Sequence, residues 1–342
     1  MTTADSGPCD RACGALAGLA IGDAMGMPSQ TLSRADIARH YGQITGYVAP
    51  FPDHPVSHGL VAAQVTDDTE QAFLLAKRLS DDAGILNEAL WAQDLLGWEH
   101  DVQVRGLRDL LGPSSKAALS AILAGQPASE TGRTGTTNGA AMRIAPVGIA
   151  TRLDATSRFV DRVERACRMT HNTGEAIAAA AAVAAIVSQG VDGFDFGTAL
   201  DTALNVAGQA QERGYRVGET DIRRRISDAL KLADQGVSAA EFARTIGTSV
   251  AACESVPAAF GVVRMAAGDV WQAARIAANI GDDTDTIGAI AGAMAGACAG
   301  MQAIDPAALA PVRAANDLAI EATVNRLLNL RTMSDEHLET VR

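Results

Sequence analysis

From Ile287 to Ile304 the chain carries no charged side chain, and glycine stands at every fourth position: Gly288, Gly292, Gly296 and Gly300. Residues four apart fall on one face of an α-helix. That face has no side chains, so another backbone can approach it closely. The run nears the length of a membrane span, yet alanine and glycine contribute little to membrane transfer. It predicts a helix buried at the centre of a helical protein. The alanine-rich run 176–186 predicts a second core helix.

Apolar residues make up 48% of the 342, and aromatics only 4%. Small aliphatic side chains must therefore fill the core. They recur at helical spacing, and alternating β-branched runs are scarce. Helices are predicted over 10–25 and after Ser33, where Asp36 suits a capping box. Further helical patterns cover 66–80, 87–99, 115–124, 155–169, 174–190 and 195–212. The last cover 219–235, 238–247, 255–267, 270–279, 284–302 and 306–330. The Pro-, Gly- and His-rich stretch 42–65 predicts a long loop, and 126–138 a second one. No low-complexity linker divides the sequence, so one all-α domain over residues 1–342 is expected.

Lys and Arg total 28 against 40 Asp and Glu, a net charge of −12. Such a balance argues against a nucleic-acid partner, which needs a basic patch. The five cysteines are dispersed, with no CxxC pattern, and read as free thiols. The start MTTADSGPCDR has no cationic leader before an apolar run, so a cytoplasmic protein with no membrane partner is expected.

Two acidic clusters carry the chemistry. Thr66-Asp67-Asp68-Thr69 precedes EQAFLLAKRL, and Gly281-Asp282-Asp283-Thr284-Asp285-Thr286 precedes IGAIAGAMAGACAG. Either alone reads as helix capping. Together they send several carboxylates into apolar helices, which is costly unless the charges are paired or metal-bound. The nearest following cations are Lys77 and Arg78 for the first cluster and Arg313 for the second. Hard divalent cations, Mg²⁺ or Mn²⁺, suit carboxylate and hydroxyl oxygens. Adjacent helix side chains diverge by about 100°, so these acids converge only at an irregular helix start.

At these residues the sequence resembles the ADP-ribosylglycohydrolase family. The opening Gly14-Ala-Leu-Ala-Gly-Leu-Ala-Ile-Gly-Asp23-Ala-Met-Gly26-Met-Pro28 resembles the family's first helix and turn. Thr66-Asp67-Asp68-Thr69 resembles its first metal motif, and Thr137-Asn138-Gly139-Ala-Ala-Met142-Arg143 its central segment. Thr170-His171 and Asp283-Thr284-Asp285-Thr286-Ile-Gly288 follow in the family order. The resemblance implies an orthogonal multi-helix bundle with two Mg²⁺ (or Mn²⁺) ions. The implied ligands are Thr66, Asp67, Asp68, Asp283, Asp285 and Thr286. It also implies cleavage of a ribosyl glycosidic bond, by default in an ADP-ribosylated protein. Asp68 is then the candidate for contacting the attacking water or substrate. Thr137, Asn138, Gly139 and His171 are candidates for binding the substrate.

The chain departs from this pattern at Gln30, where many members have Glu; an amide cannot act as a carboxylate base. It can still bind a ribose hydroxyl, so Gln30 is kept as a candidate at the catalytic site. Glu99, His100 and Asp101, or Asp53 with His54, are candidate replacement acids or bases. Thr137 replaces a family glycine, and Asp282 stands where glycine is usual. Arg143 is a candidate partner for a buried carboxylate. Trp91, Trp98, Tyr47 and Phe51 are the aromatics available to hold an adenine. A small ribosyl compound such as a nucleoside is the rival substrate, and an inactive ADP-ribose-binding relative the non-enzymatic alternative. A terpenoid-synthase DDxxD motif fails, because Gln71 and Thr286 occupy the last positions.

Overall fold

The computed structural model describes residues 7–107 and 111–332. Its helices are, in order, α1 (Pro8–Gly26), α2 (Arg34–Tyr41), α3 (Asp67–Asp81), α4 (Glu88–Val104), α5 (Pro113–Leu123) and α6 (Gly139–Met142). Next come α7 (Ala145–Ala150), α8 (Thr156–His171), α9 (Gly174–Val191), α10 (Phe196–Ala210), α11 (Ile222–Asp234) and α12 (Ala239–Ile246). The chain continues through α13 (Ala252–Met265), α14 (Val270–Ala278), α15 (Thr284–Ala299), α16 (Pro306–Ala315) and α17 (Ile320–Thr332). The only strand-like pairings among the described residues are three isolated bridges. The all-α expectation holds.

The glycine face belongs to α15, and it lies against a matching face on α1. A methyl group on Gly18 would stand 2.1 Å from Gly292 O, and one on Gly22 only 1.9 Å from Gly288 O. Neither helix has room for a Cβ at these crossings, so the backbones touch. The helices run antiparallel, because Gly14 meets Gly296 while Gly26 meets Asp285. The end of α1 is thereby pressed against the start of α15, where the second acidic cluster lies.

Helix α9 is long and apolar enough to cross a membrane, but it is buried inside the fold. It packs on α10, α15 and α7. At the far end, the buried Arg331 of α17 donates to the carbonyls of Gly148, Ile149, Thr151 and Ser188. It also pairs with Asp192 at 2.6 Å, which ties α17 to the ends of α7 and α9.

One predicted helix is broken. The continuous pattern 306–330 becomes α16 and α17, because Asn316 is extended at φ −139° and ψ 145°. Its amide donates to Ala63 O at 2.9 Å and Val312 O at 2.7 Å, and its oxygen accepts from Val65 N at 3.0 Å. These bonds anchor the segment leading into Thr66. Local periodicity does not reveal such a long-range partner. The short helices α6 and α7 are likewise absent from the sequence expectation.

Candidate active site

The two acidic helix starts meet. The Thr66 hydroxyl lies 3.1 Å from Asp68 Oδ2, and the Thr286 hydroxyl lies 3.4 Å from the same oxygen. Asp67, Asp68, Asp283 and Asp285 are all buried. Capping does not account for them. Asn87, Thr173, Asp195, Asp221, Ser238, Asp269 and Asp305 accept backbone N–H groups at their own helix starts. Thr66 and Asp283, in the same position on α3 and α15, make no such side-chain bond.

A fifth acid organises the first cluster. Asp23, fully buried in α1, accepts from the backbone N–H and the hydroxyl of both Thr66 and Thr69, at 2.5–3.1 Å. It clamps the entry to α3 from behind. No role was derived for it from sequence, although it is the only acid between Gly14 and Pro28. A single carboxylate inside an apolar helix is the signal that points to it.

The electrostatics are one-sided. Burial raises the pKa of Asp67, Asp68 and Asp285 well above the usual carboxylate range, and repulsion among the acids adds to it. Asp23 and Asp283 are raised to about 6, mainly by burial, against the lowering effect of their hydrogen bonds. Asp68 Oδ1 and Asp285 Oδ1 are buried with no hydrogen-bond partner. Two unpartnered carboxylate oxygens amid like charges fit a hard cation. No three carboxylate, imidazole or thiol groups form a ready cage among the described residues. A cation bound among Asp67, Asp68, Asp283 and Asp285 would therefore take oxygens from fewer than three of them and draw the others from Thr66, Thr286 and water.

A cavity of about 250 Å³ opens on this cluster. Its lining includes Asp67, Asp283, Asp285 and Thr286 together with Gln30, Thr137, Asn138 and Gly139. Asp68 and Thr66 are buried and are not among its lining residues. Larger cavities of about 400, 520 and 410 Å³ lie elsewhere and contain none of these acids. The Asn138 amide donates to Asp283 Oδ2 and, at 2.9 Å, to Ser255 Oγ. It thereby joins the central segment to the second cluster.

His171 does not line the cavity; it supports the residues that do. Its Nε2 lies 2.9 Å from Thr137 Oγ1, and its Nδ1 lies 2.7 Å from Thr170 Oγ1. Burial holds its pKa well below the usual value, so the ring is neutral. Its ring also explains Gly139, where a Cβ would come within 2.9 Å of His171 Cε1. The buried Arg143 donates to Thr170 Oγ1 and to Gln71 Oε1, both at 2.6 Å, and Gln71 donates to Asp67 Oδ2 at 3.3 Å. Arg143 therefore reaches one carboxylate through an amide and the Thr137 side of the cavity through Thr170 and His171. It forms no direct pair with the acids.

Other sequence candidates lie apart. Asp53, Glu99, His100 and Asp101 are not among the cavity residues. His54 is buried, and its pKa is pushed down to about 4, chiefly by burial. Its Nδ1 accepts the N–H groups of Val56 and Ser57, which makes it a loop brace. Trp91 is fully buried and Trp98 donates to Glu70. Tyr47 donates to Ala308 O, and Phe51 stacks on His40. The described cavity wall therefore has no aromatic side chain. Asp282 has φ +60°, in the left-handed region that favours glycine. Its carboxylate accepts from Thr248 outside the cavity.

An all-helical scaffold that seats two aspartate-led helix starts beside a small cavity defines a helical protein with a buried acidic site. The chain matches the ADP-ribosylglycohydrolase family over residues 4–337 and belongs to that family. It is 36% identical over 313 residues to the uncharacterized protein YegU of Escherichia coli (strain K12), covering 90% of this chain and 93% of that one. The ADP-ribosyl-[dinitrogen reductase] glycohydrolase of Rhodospirillum rubrum is 33% identical over 174 residues, 48% of this chain and 52% of its own length. Among solved structures, an ADP-ribosylglycohydrolase-related protein complex superposes with a TM-score of 0.67 at 25% identity, covering 94% of this chain and 98% of that one.

Proposed function

We propose that this chain is a cation-dependent hydrolase that cleaves the glycosidic bond joining the ribose of ADP-ribose to a protein side chain. The observation that carries this reading is the meeting of Asp67, Asp68, Asp283 and Asp285 beside a cavity, with two carboxylate oxygens unpartnered. Two Mg²⁺ or Mn²⁺ ions held by Thr66, Asp67, Asp68, Asp283, Asp285 and Thr286 would neutralise the acids, bind ribose hydroxyls and acidify a water. The cavity of about 250 Å³ admits the ribosyl end of such a substrate.

As the bond at C1 breaks, positive charge develops across C1 and the ring oxygen. Carboxylates already fixed in a buried wall stabilise that charge without reorganising. Asp68 holds the centre of the acidic cluster, tied to both Thr66 and Thr286. Asn138 fixes Asp283. Thr137 and Gly139 also line the cavity. The free cysteines suit a reducing, cytoplasmic setting.

A second reading, hydrolysis of a small ribosyl compound, is favoured by Gln30 and by a cavity wall without an aromatic platform. Release of the ribosyl product from ADP-ribosyl-arginine, ADP-ribosyl-serine, O-acetyl-ADP-ribose and nucleosides, with and without Mg²⁺ or Mn²⁺, separates the two. Metal-dependent turnover of the protein-linked substrates supports the first. Turnover of nucleosides alone replaces it with the second, and no turnover of any rejects both.

A further inference from the structure

The amide of Gln30 has a fixed orientation, and the reason lies in the long loop. Gln30 Nε2 lies 2.9 Å from Ser57 Oγ, and Ser57 Oγ lies 2.7 Å from the carbonyl of Met27. A backbone carbonyl only accepts, so the single hydroxyl proton of Ser57 goes to Met27. Ser57 must then accept from Gln30, which turns the NH₂ group toward Ser57. Among the described residues the carbonyl oxygen has no hydrogen-bond partner, and Gln30 lines the cavity. Ser57 is itself fully buried, and its N–H donates to His54 Nδ1 at 2.8 Å. The same ring atom accepts from Val56 N at 3.2 Å, so its proton resides on Nε2, which is buried without a partner. A buried donor left unpartnered is unfavourable. Its retention matches a ring held for what Nδ1 does, which is to fix the turn carrying Ser57.

We infer that Gln30 is a specificity-determining residue that offers its carbonyl oxygen as a fixed acceptor to one ribose hydroxyl, with Ser57 and His54 as positioning residues. This rests on the functional reading above and deepens it. The side chain recognises a donor and takes no proton. A ribosyl compound with the hydroxyl is selected over the deoxy form, and the step of bond cleavage does not titrate with residue 30.

The test measures binding of ADP-ribose, and of analogues lacking the 2- or 3-hydroxyl of its terminal ribose, by calorimetry in the presence of Mg²⁺. Wild type should lose about three- to tenfold in affinity for one of the two analogues, the scale of one neutral hydrogen bond. Gln30→Met keeps the shape without the acceptor and should bind that analogue and ADP-ribose equally. Gln30→Glu keeps an acceptor and should retain the discrimination. Ser57→Ala frees the amide to turn and should lose most of it, raising KM with kcat little changed. Equal penalties in wild type and Gln30→Met overturn the inference alone. A wild-type protein that binds no ADP-ribose overturns the functional reading as well.

Discussion

The hydroxyl of Thr286 points at Asp68 Oδ2 from 3.4 Å, across 218 positions of sequence. That contact closes the acidic cluster, and most of the site's behaviour follows from what the closure leaves unbalanced.

Removing one carboxylate should separate stability from activity. Asp285→Asn relieves repulsion in the metal-free protein, so its melting temperature should rise above that of wild type in chelator. Mg²⁺ or Mn²⁺ should raise the wild-type melting temperature through preferential binding to the folded state, and raise that of the variant much less. Hydrolysis should fall by about 10²-fold or more. Thermal melts with and without metal, beside turnover assays, check both signs. A variant with undiminished metal response would refute the ligand role.

The pH dependence of the metal-free protein should run against the usual acid lability of paired carboxylates. Burial raises Asp23 and Asp283 to about 6 in the folded chain, above the ordinary aspartate value of 3.8. Between those values the folded state binds more protons than the unfolded one, so stability falls as pH rises. Each group contributes a loss of order 1–3 kcal/mol by neutral pH. Denaturant melts in chelator from pH 4.5 to 7.5 should show this decline, and saturating metal should flatten it.

Arg143→Lys should be destabilising although it keeps the charge. One guanidinium holds Gln71 and Thr170 together at 2.6 Å each; an ammonium lacks the planar fork. A loss of about 2–4 kcal/mol is expected from buried groups left unsatisfied. Chemical denaturation measures it.

Gly22→Ala should be among the most damaging small substitutions in the chain. Its Cβ would fall 1.9 Å from Gly288 O, and backbone cannot yield as a side chain can. A cost of about 3 kcal/mol or more is expected, read as a lowered melting temperature or loss of soluble protein.

Asp282→Gly should be nearly silent. Glycine relieves the positive φ of +60° while forfeiting the Thr248 hydrogen bond. The two effects oppose, and unfolding free energy should stay within about 1 kcal/mol of wild type. Near-normal turnover would confirm that Asp282 takes no part in the reaction.

The helical class and the acidic helix starts are legible in sequence because both are local. Periodicity marks a helix, and acids opening an uncharged run conflict with burial within a few residues. The functions of Asp23, Asn316 and Ser57 are not legible, because each acts through partners tens to hundreds of positions away. Asn316 is the sharpest case: nothing within 306–330 announces that its helix breaks to hold Ala63 and Val65. His171 shows the opposite limit. A histidine beside matched motifs suggests ligand contact, whereas the fold places its ring behind Thr137.

The glycine seam between α1 and α15 has a bearing on how this enzyme class diversifies. Contact between two backbones leaves no side chain to repack, so the spacing of Asp23 and Asp285 behaves as a fixed jaw. The rest of the cavity lining, drawn from the 42–65 loop and the segment around Thr137, forms the second jaw and rests on side chains such as Ser57 and His171 as well as on backbone bonds, so single substitutions can reshape it. New substrate preferences should therefore arise by editing the second jaw while the first is inherited unchanged.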